Sequence, residues 1–383
     1  MHVNDWMSGR SGFPRRHASR WTAVVLLLTL GTACSSGAPE PETAPAPDAG
    51  NVERVNSPWP VATRMHVDLW LHGFAMLQGD TTLIPYFERG YAQRMEAFKR
   101  RANVQTQLDL NAEQLRQRLS VNEAIISAQF LALQASSLEN LLGAAELFLR
   151  AEGDANRARD RGSQVAIATF AQYFPTAPDR EWLRQFIVAL RDENDRFYRN
   201  YWLARQQDLA PVLTRIDSLW ESEVRPKLQG YLGNTRAGAG TFLLSLPLNG
   251  EGRTLSGRTR AENLIAVGFP DSLHLAEEAF YVFAHEAILS IAQTAVDDHT
   301  TPAEKRQGLN DQYLSASAVR GGLLLLERTL PAMADGYIRY YLASAGKPVP
   351  ATGARSAFEQ TFPLPQPILD AVSSQLESVL GGI

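Results

Sequence analysis

Residues 275–292 read LAEEAFYVFAHEAILSIA, and this stretch decides how the rest of the chain is understood. From Ala279 to Ala292 nearly every position is apolar, the exceptions being Tyr281, His285, Glu286 and Ser290. A helix that is apolar almost all round is a buried helix. An ionisable pair in the middle of such a helix costs several kcal/mol if it stays charged and unpartnered. The pair His285–Glu286 therefore needs a reason to be there.

Working outward from it, two short apolar runs precede the helix. Residues 241–247 are bounded by Gly240, and residues 263–269 are closed by Pro270. Both read as strands, paired with each other across a polar loop from Asn249 to Arg260. Pro247 places the first at its end or at a sheet edge. The buried helix is expected over 273–296. Further helices are expected over Pro302–Gly308, Asp311–Leu330, Pro331–Ala345 and Pro367–Leu380. Upstream, most of residues 58–235 reads as a series of helices. The stretch Ala210–Leu232 carries apolar residues at helical spacing and a Pro226 that should kink it. The fold class is mainly α with a small β-sheet (α+β). A helical region over 58–235 precedes a region over 236–383 that carries the strands and the buried helix.

Strands followed by a buried helix carrying His-Glu resemble the core of the zincin metallopeptidases. In that family the helix holds H-E-x-x-H, whose two histidines lie four apart on one face and bind zinc, while the glutamate activates water. His285 and Glu286 match the first two positions, and Leu289 stands where the second histidine would be. The resemblance spans about residues 240–345 and implies a zincin-like region in 236–383 with a degenerate motif. It makes His285 the candidate metal ligand and Glu286 the candidate catalytic base. A third ligand, in some members a glutamate on a later helix, has no counterpart before Glu327. Three readings stay open. The region has lost its zinc, or it is a metal-dependent hydrolase with atypical ligands, or Glu286 is ion-paired to an arginine such as Arg320. Arg320 precedes Gly321-Gly322, and two glycines in a helix let another backbone approach closely.

Of the other histidines, His274 and His299 could share a metal with His285 only if the chain turned back between them, His66 and His72 are six apart and not a same-face pair, and each reads as a structural or surface residue. No cofactor is expected, with zinc the one ion the motif would admit. Arg253, Arg258 and Arg260 cluster in the loop between the strands and read as solvated. Neither a Walker lysine nor a G-x-S-x-G elbow occurs.

Composition bounds the function. The chain has 383 residues, 45% hydrophobic, which suffices for a core. Its net charge of −4, with no strong basic run in the body, argues against nucleic acid as a partner. The single cysteine, Cys34, excludes an intramolecular disulfide framework and a thiolate zinc cluster.

That cysteine has a context. Four arginines precede an apolar run from Trp21 to Leu30, which ends in Gly31-Thr32-Ala33-Cys34. A basic region, a short apolar region and small residues make a secretory signal over 1–33. With cysteine directly after the small residues it resembles a bacterial lipoprotein signal. The resemblance implies that Cys34 is lipidated and becomes the first residue of the mature chain. Residues 34–57 are rich in Pro and Ala and read as a disordered tether. Ser35 and Ser36 stand where an inner-membrane retention aspartate would be, so the outer membrane is the favoured destination in a host that has one. Removing residues 1–33 leaves 33 basic and 40 acidic residues, a net charge of −7. Such a body does not adhere to anionic lipid by itself, and the lipid must anchor it. The expected protein is a membrane-anchored envelope lipoprotein that binds or scaffolds, with a metal-dependent peptidase using Glu286 as the alternative.

Overall fold

The computed structural model describes residues 57–79, 83–256 and 263–381. The signal, Cys34 and nearly all of the tether lie outside the described residues, as do Arg258 and Arg260.

The chain is mainly helical around a small four-stranded mixed sheet. Its strands are β1 (Val61–Thr63), β2 (Thr241–Ser245), β3 (Arg253–Leu255) and β4 (Leu264–Gly268), in the order β1-β2-β4-β3. β2 and β4 pair as expected, but in parallel, with Phe242 opposite Ile265. The expected loop between them contains β3, which runs antiparallel to β4 at the edge with Thr254 opposite Ile265. A tight hairpin joins only antiparallel neighbours, and 18 residues separate these two strands, enough for a crossover. Covered on both faces, β2 is apolar from Phe242 to Leu244, the signature of a buried parallel strand. β1 was not legible. Three residues after Pro60 carry too little pattern to read, yet they pair with β2, Val61 opposite Phe242. The sheet thus joins the two regions divided at 235/236, and one apolar core runs from Trp59 to Leu376.

The helix expected over 273–296 is broken. A short 3₁₀ turn at Leu273–Leu275 leads into the helix Glu278–Ala287, then the helix Leu289–His299, the two parts bent by 40°. The Tyr231 hydroxyl donates to the Ala287 carbonyl at 2.8 Å, satisfying the backbone where the first part ends. Proline is absorbed upstream. The helix Arg199–Leu219 passes through a wide π-turn at Trp220–Val224 into Arg225–Asn234, and Pro226 comes just after that π-turn. Among the described residues no single helix is long and apolar enough to cross a membrane.

Two aromatic groups organise the interior. Trp220, Phe242 and Phe283 pack around the sheet, with Trp220 and Phe242 centred 4.9 Å apart. Trp70, Phe74, Trp182 and Phe186 fill the helical region, Trp182 stacking on Phe186 at 4.7 Å.

Candidate functional site

The helix Glu278–Ala287 lies along β4, so the sheet and the His-Glu pair are packed together. Both side chains are buried, His285 at 1% and Glu286 at 2% exposure. What surrounds Glu286 is the edge strand. Oε1 accepts the Gly252 main-chain N–H at 3.2 Å and faces His285 Nδ1 at 3.0 Å. Oε2 accepts the Thr254 hydroxyl at 3.0 Å, and the same hydroxyl reaches the Glu286 carbonyl at 3.1 Å. Gly252 makes this approach possible. A Cβ there would sit 2.4 Å from the Ala266 carbonyl oxygen and 2.8 Å from Glu286 Cγ. A glycine, a threonine and a histidine thus bind both oxygens of one carboxylate.

The electrostatics follow from burial. Desolvation alone would depress the His285 imidazole. The hydrogen bond and charge of Glu286, joined by the charge of Glu251, outweigh it and raise His285 above its ordinary value. Glu251 itself is pushed up by burial and by Glu286, against the pull of His285, and is hydrogen-bonded by Ser315 and Tyr86. The two carboxyl groups thus favour the protonated form of this buried imidazole. The Tyr341 ring stacks on His285 at 5.6 Å, and its hydroxyl donates to the Gly250 carbonyl at 3.1 Å, closing the strand side.

The residues present do not fit a zinc ion. Leu289 occupies the second-histidine position and starts a separate helix, so positions 285 and 289 no longer share one straight helix face. Among the described residues no group of three or more His, Cys, Asp or Glu is placed to hold a metal ion. His285 Nε2 is buried with no hydrogen-bond partner, one nitrogen where a site needs three or four ligands.

Arg320 is not the partner of Glu286. It points to Glu359, 3.4 Å away, and Arg355 bridges Glu359 and Glu327. The adjacent glycines do serve the close approach the sequence suggests. A Cβ on Gly322 would lie 3.1 Å from the His285 main-chain nitrogen, and one on Gly321 would lie 3.0 Å from Ile288 Cγ1. The helix Leu309–Thr329 therefore seats its glycines against the His285 helix and turns Arg320 away. The other histidines have local explanations: His66 Nε2 meets the Ala135 carbonyl at 2.9 Å, His274 meets Ser272 at 3.1 Å, and His299 ends its helix at the surface.

Two buried polar networks escaped sequence reasoning, and both start from the helix Met65–Leu77. Glu193 receives His72 Nε2 at 2.9 Å and Lys99 Nζ at 2.7 Å, and the Thr106 hydroxyl donates to it as well. Lys99 also reaches Asp109 at 2.8 Å. Burial would raise Glu193, but His72 and Lys99 overcome it and hold the carboxyl at about 2. Burial, only partly opposed by Glu193, lowers His72. A neutral His72 then donates through Nε2 to Glu193 and accepts the Tyr91 hydroxyl at Nδ1, 3.0 Å away. One turn before His72, Asp68 accepts from the Ser245 hydroxyl at 2.6 Å and from Trp202 Nε1 at 2.8 Å. Burial pushes its carboxyl to about 7. The available signal was Asp68 and His72 four apart in HVDLWLHGFAML, a helix apolar on every side apart from these two and His66. No protein-family model, curated protein or solved structure matches this chain.

Proposed function

We propose that this is an exported envelope protein, anchored by lipid on Cys34, whose zincin-like region binds or scaffolds and does not cleave peptides. The leader ending in Gly-Thr-Ala-Cys and the Pro-rich tether support the anchoring. The sheet lying along the His285 helix supports the zincin-like reading over an unrelated helical body. The observation that carries the non-peptidase reading is the edge strand on Glu286: a general base must present an oxygen to water, and both oxygens here face protein donors.

The test is hydrolysis of a fluorogenic peptide library by the purified mature chain, with and without added zinc, beside Glu286→Gln. The expected result is no cleavage above buffer by either protein. Cleavage by the wild type that disappears in Glu286→Gln would overturn the reading. Anchoring is tested separately: Cys34→Ser should move the protein from the membrane fraction to the soluble one.

The second reading is a metal-dependent peptidase with atypical ligands and Glu286 as base. One observation favours it, the buried and unpartnered Nε2 of His285, which is the kind of atom a metal takes. It predicts that cleavage.

A further inference from the structure

The parallel strands β2 and β4 end side by side at Ser245 and Gly268. Open sheets with parallel strands bind ligands just beyond such carboxyl ends. A cleft of about 500 Å³ lies there, walled by Leu246 and Leu248 after β2 and by Phe269 and Asp271 after β4. A second cleft of about 590 Å³ adjoins it, and the two share Glu88, Asn249, Leu275, Glu278 and Tyr340.

The charged groups around this double cleft each have a hydrogen-bond or ion-pair partner, with one exception. Arg94 pairs with Glu88, and Arg205 pairs with Asp271 at 2.6 Å. Arg339 pairs with Asp335 at 2.6 Å, and Glu277 accepts the Tyr281 hydroxyl at 3.1 Å. Arg89 donates to the carbonyls of Leu83 and Ser344. Glu278 stands on the wall common to both chambers, and among the described residues its carboxylate has no hydrogen bond and no cation. Beside it the cleft offers aromatic surface: Phe98 is 41% exposed and its ring centre lies 5.6 Å from that of Tyr201. A half-buried carboxylate without a counter-ion, set among aromatic faces, is complementary to an ammonium group on an apolar body.

We propose that this cleft binds ligands carrying a protonated amino group next to an apolar or aromatic moiety, the amine seated on Glu278. A small organic amine and the free amino terminus of a peptide share this chemistry. An anionic ligand is disfavoured because each guanidinium in the walls is already engaged.

Glu278 also titrates where it can be tested. Burial, with the nearby charge of Asp271, pushes its carboxyl to about 7. The charged and titratable groups around it are Tyr91, Arg94, Tyr201, Arg205 and Asp271 in the first chamber, Arg89, His274, Glu277, Tyr281 and Arg339 in the second, and Glu88 and Tyr340 in both. Only the ionised carboxylate attracts an ammonium, so binding strengthens as pH rises through 7. Between pH 6 and 8 the ionised fraction of a group near 7 grows about tenfold.

The experiment is calorimetric titration of the mature chain with phenethylamine, 2-phenylethanol and phenylacetate at pH 6 and pH 8. A second arm compares Gly-Phe-Gly with its N-acetylated form, which separates the peptide source from the small-molecule source. Phenethylamine should bind about tenfold more tightly at pH 8 than at pH 6, or the free tripeptide about three- to fivefold, because its α-amino group is only partly protonated at pH 8, and the uncharged and acidic probes should not bind. Glu278→Gln should abolish that pH dependence and weaken binding at pH 8 at least about tenfold, while His274→Gln keeps the dependence and Glu277→Gln keeps the affinity. Equal binding of the alcohol, unchanged binding in Glu278→Gln, or no binding by any amine would overturn the proposal. It rests on the binding reading above, and the two fail separately. Glu286-dependent hydrolysis leaves the titration at Glu278 untouched, and a silent cleft leaves the peptide assay untouched.

Discussion

The main-chain N–H of Gly252 meets Glu286 Oε1 at 3.2 Å, so the carboxylate that a zincin would turn toward water is instead bonded to the edge strand of its own sheet. The hydrogen bond and the absence of a side chain act together. The strand comes within bonding distance because nothing stands between Gly252 and the glutamate.

Gly252→Ala is therefore expected to destabilise the fold. Its methyl group would lie 2.4 Å from the Ala266 carbonyl oxygen, inside any contact real atoms adopt, so β3 must move away from β4. Overpacking of this kind costs about 1–3 kcal/mol. Thr254→Val should cost a similar ~1–3 kcal/mol by leaving Glu286 Oε2 without its donor. Urea denaturation measures both. Gly230→Ala is the control: nothing lies within 4 Å of its Cβ position, and alanine in a helix gains about 0.5–1 kcal/mol over glycine.

His285 makes stability depend on pH with a definite sign. Its folded value is raised above the ordinary 6.5. The contribution is complete below pH 6.5 and is lost as pH rises through the folded value. His285→Gln should be most destabilising near pH 6, by the ~3–5 kcal/mol typical of a broken buried ion pair, and the deficit should shrink by pH 9. Urea midpoints across that range check it. A deficit that grows with pH would show that His285 is neutral in the fold.

Glu193 acts in the opposite direction. Its carboxyl is held at about 2 against an ordinary 4.5, so its contribution is present above pH 4.5 and is lost as pH falls toward 2. That gap corresponds to roughly 3 kcal/mol. Glu193→Gln should flatten the acid limb of the stability profile and lower stability at pH 7, because Lys99 keeps only Asp109 as a charged partner.

Asp68 supplies a slope on the alkaline side of that window. With its carboxyl at about 7 against 3.8, the fold holds the proton that the unfolded chain releases, so stability declines as pH rises from 3.8 to 7 and then levels. The difference between the two values amounts to roughly 4 kcal/mol. Asp68→Asn keeps the shape without the charge, so it should remove this decline and match or exceed the wild type at pH 8 in thermal melts. A variant that is instead less stable than the wild type only above pH 7 would show that the ionised form is the favoured one.

Much of this was legible from side-chain patterning, and what was not depended on partners distant in sequence. Phe242–Leu244 and Leu264–Val267 announce buried strands because each is an unbroken apolar run. Their parallel sense was hidden, since it depends on where β3 inserts, and Arg253-Thr254-Leu255 is too short and too polar to read as a strand. His285 and Glu286 stood out because a buried helix penalises charge, whatever the purpose of the pair. The partners of Glu286 were invisible: Gly252 and Thr254 lie over 30 residues away and contribute a main-chain N–H and a hydroxyl, neither of which leaves a pattern. Arg320 was the natural guess for a counter-ion, and the glycines beside it do approach His285, but helical geometry turns its side chain to Glu359. Glu278 sits one position from Glu277 in a charged doublet, and only the fold distinguishes the one with a tyrosine donor from the one without.

The most direct measurement is the metal content of the purified mature chain after equilibration with zinc and removal of the excess, taken beside His285→Gln with thermal melts to confirm that the variant is folded. If Glu286 and His285 clamp the edge strand to the helix, zinc remains well below one per chain and is the same in both proteins. One zinc per chain, lost in a folded His285→Gln, would contradict it.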